Sequence, residues 1–119
     1  MSLSVEEKQA AWNIIEFFYP DFNPFANDFS VNDVNENVQN VLFQMISDFS
    51  SCVQKVLPLT LMSIIMDIKS ALGAKNIFGV VSGLNNLRNQ DASLLSYRAC
   101  RNIQAGSSRN NLYMAFSGF

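Results

Sequence analysis

Between Val38 and Val56 apolar side chains recur in strict four-three-four-three-four steps, at Val38, Leu42, Met45, Phe49, Cys52 and Val56. That spacing lines one side of an α-helix and matches no side of a strand, whose successive residues alternate. The helix predicted there runs over 33–56. Asp33 followed by Glu36 marks its start, and Pro58 ends it, because proline lacks the backbone donor and its ring meets the preceding turn. A chain built around this helix must supply further helices to cover its apolar stripe.

The remaining segments have the pattern to do so. Ser4 and Glu7 have capping-box spacing ahead of Trp12, Ile15, Phe18 and Tyr19, which predicts a first helix over 4–19. Pro20 and Pro24 frame an aromatic connection over 20–32, whose Phe22, Phe25 and Phe29 are expected to fold back over the bundle. A third helix is expected over 59–72, with Pro58 in its first turn and Gly73 at its stop. Its Leu59, Leu61, Met62, Ile64, Ile65, Met66, Ile68 and Leu72 surround nearly the whole circumference, which implies burial on most sides. Either it lies at the centre of the bundle or a second subunit covers it.

Ile77, Val81, Leu84 and Leu87 predict a fourth helix over 76–89. Asp91 is positioned to cap a fifth over 91–105, in which Leu95, Ala99 and Ile103 share a face and which Gly106 ends. A tail over 106–119 is polar first and aromatic last. The expected fold is therefore one all-α domain over 1–119, a bundle of about five helices with the segment 59–72 at its centre.

Composition narrows the function. Of 119 residues 49% are hydrophobic and 15% charged, and none is histidine. Losing histidine removes the commonest general base and metal ligand, and two cysteines alone make no structural zinc site. No Gly-rich phosphate loop or nucleophile elbow is present. No catalytic residue, cofactor or metal is expected, and the chain reads as a non-enzyme. A net charge of −2 argues against nucleic acid as a partner. The 14 Asn, 14 Ser and 6 Gln outnumber the 18 charged residues, so copies of the surface repel one another weakly and self-association is favoured. The longest apolar stretch, Val56 to Leu72, is broken by Pro58, Asp67 and Lys69 and falls short of the ~20 residues of a membrane span. The start carries neither the basic nor the apolar region of a signal peptide, although the uncharged-polar composition fits an extracellular protein better than a cytoplasmic one.

Four features bear on partners. Residues 1–50 hold eight acids and one base, whereas residues 51–119 hold two acids and seven bases. Helices of the two halves either neutralise each other within one molecule or make a dipolar subunit that steers assembly. Cys52 and Cys100 have three open states: two buried free thiols, a bridge within the chain, or a bridge between chains. Asp67, an acid on the most apolar helix, reads as part of an ion pair or polar stripe, or as an assembly switch; with Met62, Ile65 and Met66 it forms the candidate interface. Arg98 and Arg101, near Arg88 and Arg109, form a basic cluster that either offsets a helix C-terminus or binds an anion or partner.

Ser50-Ser51-Cys52 within a helix, followed by Asp67-Ile68-Lys69-Ser70-Ala71-Leu72-Gly73-Ala74-Lys75-Asn76-Ile77 and a last helix, resembles the non-repetitive C-terminal domain of spider silk proteins. The resemblance covers about half of the chain. It implies a five-helix, domain-swapped homodimer that controls solubility and association. Cys52 would then bridge two chains, and Asp67 would be the central-helix acid that pairs with an arginine of helix one. The chain departs from that pattern in having Lys8 but no arginine in helix one, an extra Cys100, and ten Phe where the family favours small residues. The leading expectation is a self-associating module, most simply a homodimer. The alternatives are a small carrier of a hydrophobic ligand and an inhibitor- or immunity-type binding protein.

Overall fold

The computed structural model of the chain describes residues 2–22, 28–56, 58–90 and 95–118. Its α-helices are α1 (Val5–Phe18), α2 (Glu36–Val56), α3 (Met62–Gly73), α4 (Ile77–Arg88) and α5 (Leu95–Phe116), with 3-10 turns at Val31–Asp33 and Leu59–Leu61. The described residues include no strand, and the fold is the all-α bundle that the periodicity predicts. The Asp91 cap and the stretch 23–27 of the aromatic connection, Phe25 included, lie outside the described residues.

Local chemistry sets the helix starts. Glu7 N donates to Ser4 Oγ at 3.1 Å and Ser4 N donates to Glu7 Oε1 at 3.2 Å, completing the capping box of α1. These same Ser4 donors hold the Glu7 carboxyl below the usual carboxylate range. Helix α2 begins three residues later than expected. Asp33 instead closes the 3-10 turn, accepting from Ser30 N at 2.7 Å, and Asn35 caps α2 by accepting from Val38 N at 3.0 Å.

Helices α2 and α5 form an antiparallel pair fastened at both ends. Cys52 and Cys100 are bridged with their Cα atoms 5.9 Å apart, and Asn35 Nδ2 donates to Ala115 O at 3.1 Å at the other end. Helix α5 runs eleven residues past its expected end, through Gly106 and most of what reads as a tail. Its inward stripe is Tyr97, Cys100, Gln104, Ser108, Leu112, Ala115 and Phe116. The two middle positions are polar and satisfy each other, Gln104 Nε2 donating to Ser108 Oγ at 3.0 Å in the interior, so the stripe is broken to a reading that counts apolar residues alone. The expected face of Leu95, Ala99 and Ile103 is not the inward one: Ala99 is exposed and Ile103 is 66% exposed. The side chain of Leu95 lies outside the described residues.

A second correction concerns the apolar segment 59–72. Leu59–Leu61 forms a 3-10 turn, and in α3 only Ile65 and Ile68 are buried, whereas Leu59 and Met66 are exposed. Helix α3 is an outer helix that leans on α2 and α4. The centre is instead aromatic. Phe17 meets Phe18, Phe49 and Tyr97 with ring centroids 5.2, 5.7 and 6.3 Å away, joining α1, α2 and α5. Phe22 and Phe29 fold back as expected: Phe22 lies 5.2 Å from Trp12, and Phe29 stacks on Phe116 at 4.8 Å.

Two glycines set the spacing between α3 and α4. A Cβ on Gly83 would lie 2.4 Å from Ile68 Cγ1, and one on Gly79 would lie 2.9 Å from Ala71 Cβ. Gly83→Ala must therefore push the helices apart at the buried Ile68, costing about 1–3 kcal/mol of overpacking against a propensity gain of up to about 1 kcal/mol. Gly106, with nothing within 4 Å of the position, gives the opposite sign. Gly106→Ala is expected to stabilise by about 0.5–1 kcal/mol. Urea midpoints of the two variants, shifted in opposite directions from the wild type, check both statements.

Charge follows the packing. Helix α1 (Glu6, Glu7, Lys8, Glu16) lies against α4 (Arg88), and α2 (Glu36, Asp48, Lys55) lies against α5 (Arg98, Arg101, Arg109). The two helices with an excess of acids thus pack against helices whose only charged residues are basic, within a single molecule.

Candidate functional site

The interface residues expected on α3 do not form one surface. Ile65 is buried in the core and Met62 is half-buried, leaving only Met66 and Asp67 exposed. Asp67 therefore lacks the burial that an assembly switch at this position needs. The cysteine alternatives resolve into a bridge within the chain, Cys52 to Cys100, and neither thiol is free. Cys52 is thus not available for the inter-chain bridge implied by the silk-domain resemblance, and Asp67 has no arginine in α1 to pair with.

One feature of the surface lies between α1 and α4. It is a groove of about 590 Å³, whose apolar part comes from Val5, Ala10, Phe78 and Val81. Val5 is 78% exposed and Phe78 55% exposed, although both are large hydrophobic side chains. The rest of the lining is mainly carboxamide, from Gln9, Asn13, Asn85 and Asn86, and Glu6 is the one charged residue that lines it. Gln9 Nε2 donates to Asn13 Oδ1 at 3.1 Å, which fixes one of these amides along α1.

The helical phase of α4 explains why the groove exists. Ile77, Val80, Leu84 and Leu87 turn inward in three-four-three steps and are buried. Phe78 and Val81 sit one residue further round, on a second apolar stripe of which Val81 is partly buried against the core and Phe78 is exposed. The spacing of Ile77, Val81, Leu84 and Leu87 predicts Val81 on the inward face, where Val80 stands instead. The overlooked signal was that Phe78 and Val81 recur together out of phase with Ile77 and Leu84.

The basic cluster has a definite place. Arg88 ends α4, Arg98 and Arg101 lie in the first two turns of α5, and Phe17 stands between them. The Arg88 and Arg101 guanidinium carbons lie 5.0 and 5.7 Å from the Phe17 ring centroid, and Arg101 lies 5.8 Å from that of Tyr97. Because α5 extends to Phe116, Arg98 and Arg101 stand at its N-terminal end, where they add to the helix dipole instead of offsetting it. Arg109 belongs elsewhere, beside Tyr19, whose hydroxyl donates to Ala105 O and is pushed up to about 12 by burial, opposed by Arg109.

Among the described residues no group of three or more His, Cys, Asp or Glu could hold a metal ion, and no helix is long and apolar enough to cross a membrane. No family model matches the chain, and neither a curated protein nor a solved structure does.

Proposed function

We propose that this domain is a non-enzymatic self-association module, and that two copies pair through the groove between α1 and α4. The observation that carries the reading is the second apolar stripe of α4, with Phe78 held more than half exposed beside Val5 and Val81. Large apolar side chains grouped at one surface groove are stabilised when a partner removes them from water, by about 25 cal/mol per Å² of apolar area buried. The carboxamides argue for an identical partner. Each amide both donates and accepts, so a lining of Gln9, Asn13, Asn85 and Asn86 can satisfy a copy of itself across a twofold axis. Charge opposes such pairing little, since each chain carries a net −2 and the groove is lined by a single acid.

In this reading the association surface lies on α1 and α4, and not on the central helix that the silk-domain resemblance would use. The part of that resemblance retained is the role, a terminal-type domain whose pairing governs solubility and association. The Cys52–Cys100 bridge suits an oxidising compartment, and we place the protein outside the cytoplasm.

The carrier alternative makes use of the same groove, which would hold an apolar small molecule in place of a second chain. Native mass spectrometry of freshly purified protein distinguishes the two. Self-association predicts a species of twice the chain mass with no adduct. A single chain with a retained small-molecule mass would replace this reading with the carrier, and a bare single chain at all concentrations would overturn both.

A further inference from the structure

Helix α3 packs against α2 and α4, and its outward side is not wholly polar. Leu59 is 86% exposed and Met66 56% exposed, with Met62 half-buried between them. The three form one stripe. Met62 N donates to Leu59 O across the 3-10 turn, and Met66 follows Met62 by four residues, the spacing of neighbours on a helix surface. Val56, 45% exposed at the end of α2, comes three residues before Leu59. Ile65 and Ile68 already supply the inward face of α3, so the core makes no use of this second set at the corner between α2 and α3.

The charges beside the stripe have one sign. Lys55 precedes Val56 in the last turn of α2, and Lys69 follows Met66 by three residues on α3. Both are exposed, as is Lys75 just past the end of α3. The one acid of α3, Asp67, stands about 100° further round the helix from Met66. A second copy paired across a twofold axis would set these lysines against their own counterparts, and like charges oppose that contact. A negatively charged surface with an apolar interior behind it complements the lysines and the stripe together. The most exposed member, Leu59, stands on a turn, where a fluid surface can close around it, and the flexible thioethers of Met62 and Met66 adapt to such a surface.

We propose that Val56, Leu59, Met62 and Met66, with Lys55 and Lys69, form a docking site for an anionic lipid surface. The apolar side chains enter the boundary between headgroups and acyl chains, and the lysines meet lipid phosphates. Helix α3 then lies on the membrane without crossing it. The chain as a whole carries a net −2, so attraction to an anionic surface comes from a local excess of bases and not from overall charge. The site belongs to α2 and α3, apart from the groove between α1 and α4, and the proposal does not depend on self-association.

Sedimentation with vesicles of phosphatidylcholine alone, and of phosphatidylcholine mixed with phosphatidylglycerol, tests it. The protein is expected to pellet with the mixed vesicles, less so as salt is raised, and to stay in the supernatant with phosphatidylcholine alone. Leu59→Ser, at a position too exposed to support the core, is expected to weaken binding about tenfold or more. Lys55→Gln and Lys69→Gln are each expected to weaken it about fivefold, the effect of one base near an anionic surface. Arg98→Gln removes the same charge from an exposed position on α5 and should leave binding unchanged. No pelleting of the wild type with mixed vesicles, pelleting unaltered by Leu59→Ser, or a loss in Arg98→Gln equal to that in Lys69→Gln overturns the proposal. So does a Leu59→Ser variant that loses self-association, which would assign the corner to a second copy.

Discussion

Phe49→Ala is expected to lower the free energy of unfolding by about 3–5 kcal/mol, a large part of the ~5–15 kcal/mol that holds a domain of this size together. Phe49 is fully buried on α2, and its ring stands edge-on to three others, with centroids 5.7 Å from Phe17, 5.5 Å from Phe18 and 6.0 Å from Tyr97. Those rings come from α1 and α5, so one truncation opens a cavity where three helices meet and removes three aromatic contacts worth about 0.5–1.5 kcal/mol each beyond their area. The loss cannot be recovered by local collapse, because each neighbouring ring is itself fixed by another. Urea unfolding followed by far-UV ellipticity measures it. A loss below about 1 kcal/mol, the level of an ordinary substitution, would place the centre of the bundle elsewhere.

Reducing the Cys52–Cys100 bridge is expected to cost a similar amount by a different route. The bridge closes a loop with a sequence separation of 48, and the chain entropy it removes from the unfolded state corresponds to about 4 kcal/mol. The effect appears as a lower urea midpoint in dithiothreitol, and equally in a Cys52→Ser, Cys100→Ser double variant. Helices α2 and α5 should still pair in the reduced protein, because Val38, Leu42, Met45 and Phe49 on α2 and Tyr97, Leu112 and Phe116 on α5 are buried in a core that does not depend on sulfur. Mobility on a denaturing gel separates this from the inter-chain alternative. The unreduced protein should run as a single chain, and a ladder of dimers that collapses on reduction would contradict the bridge described here.

The two effects also indicate which parts of the molecule are legible in its sequence. The stripe of α2 is legible because it is purely apolar and regular, and the capping box of α1 because Ser4 and Glu7 act within one turn. Such signals are local, and local chemistry is what a sequence states directly. The C-terminal half of α5 is illegible for the opposite reason. Its inward stripe passes through Gln104 and Ser108, and a polar pair that satisfies itself in the interior looks, in one dimension, like the end of a helix.

Helix α3 misleads in the other direction. Apolarity all round implies burial all round only if neighbours are available, and in this bundle Phe17, Phe49 and Tyr97 already occupy the centre. The candidate sites divide along similar lines. Cys52 and Cys100 were visible as a pair, but their partnership is set by the antiparallel register of α2 and α5. Arg98 and Arg101 were visible as a cluster, whereas their position at the start of a helix depended on where that helix ends. The groove between α1 and α4 required knowing which neighbour α4 faces, and that is a property of topology.

Self-association through the groove is the central claim, and sedimentation equilibrium of the wild type beside Phe78→Asp tests it most directly. Phe78 is half exposed, so the substitution leaves the core intact while setting a charge opposite its own copy across a twofold axis. The wild type should approach twice its 13.3 kDa chain mass as concentration rises, and Phe78→Asp should stay at the single-chain mass with unchanged helical content. A wild type that remains a single chain up to millimolar concentration, or a dimer that Phe78→Asp leaves intact, would contradict the account.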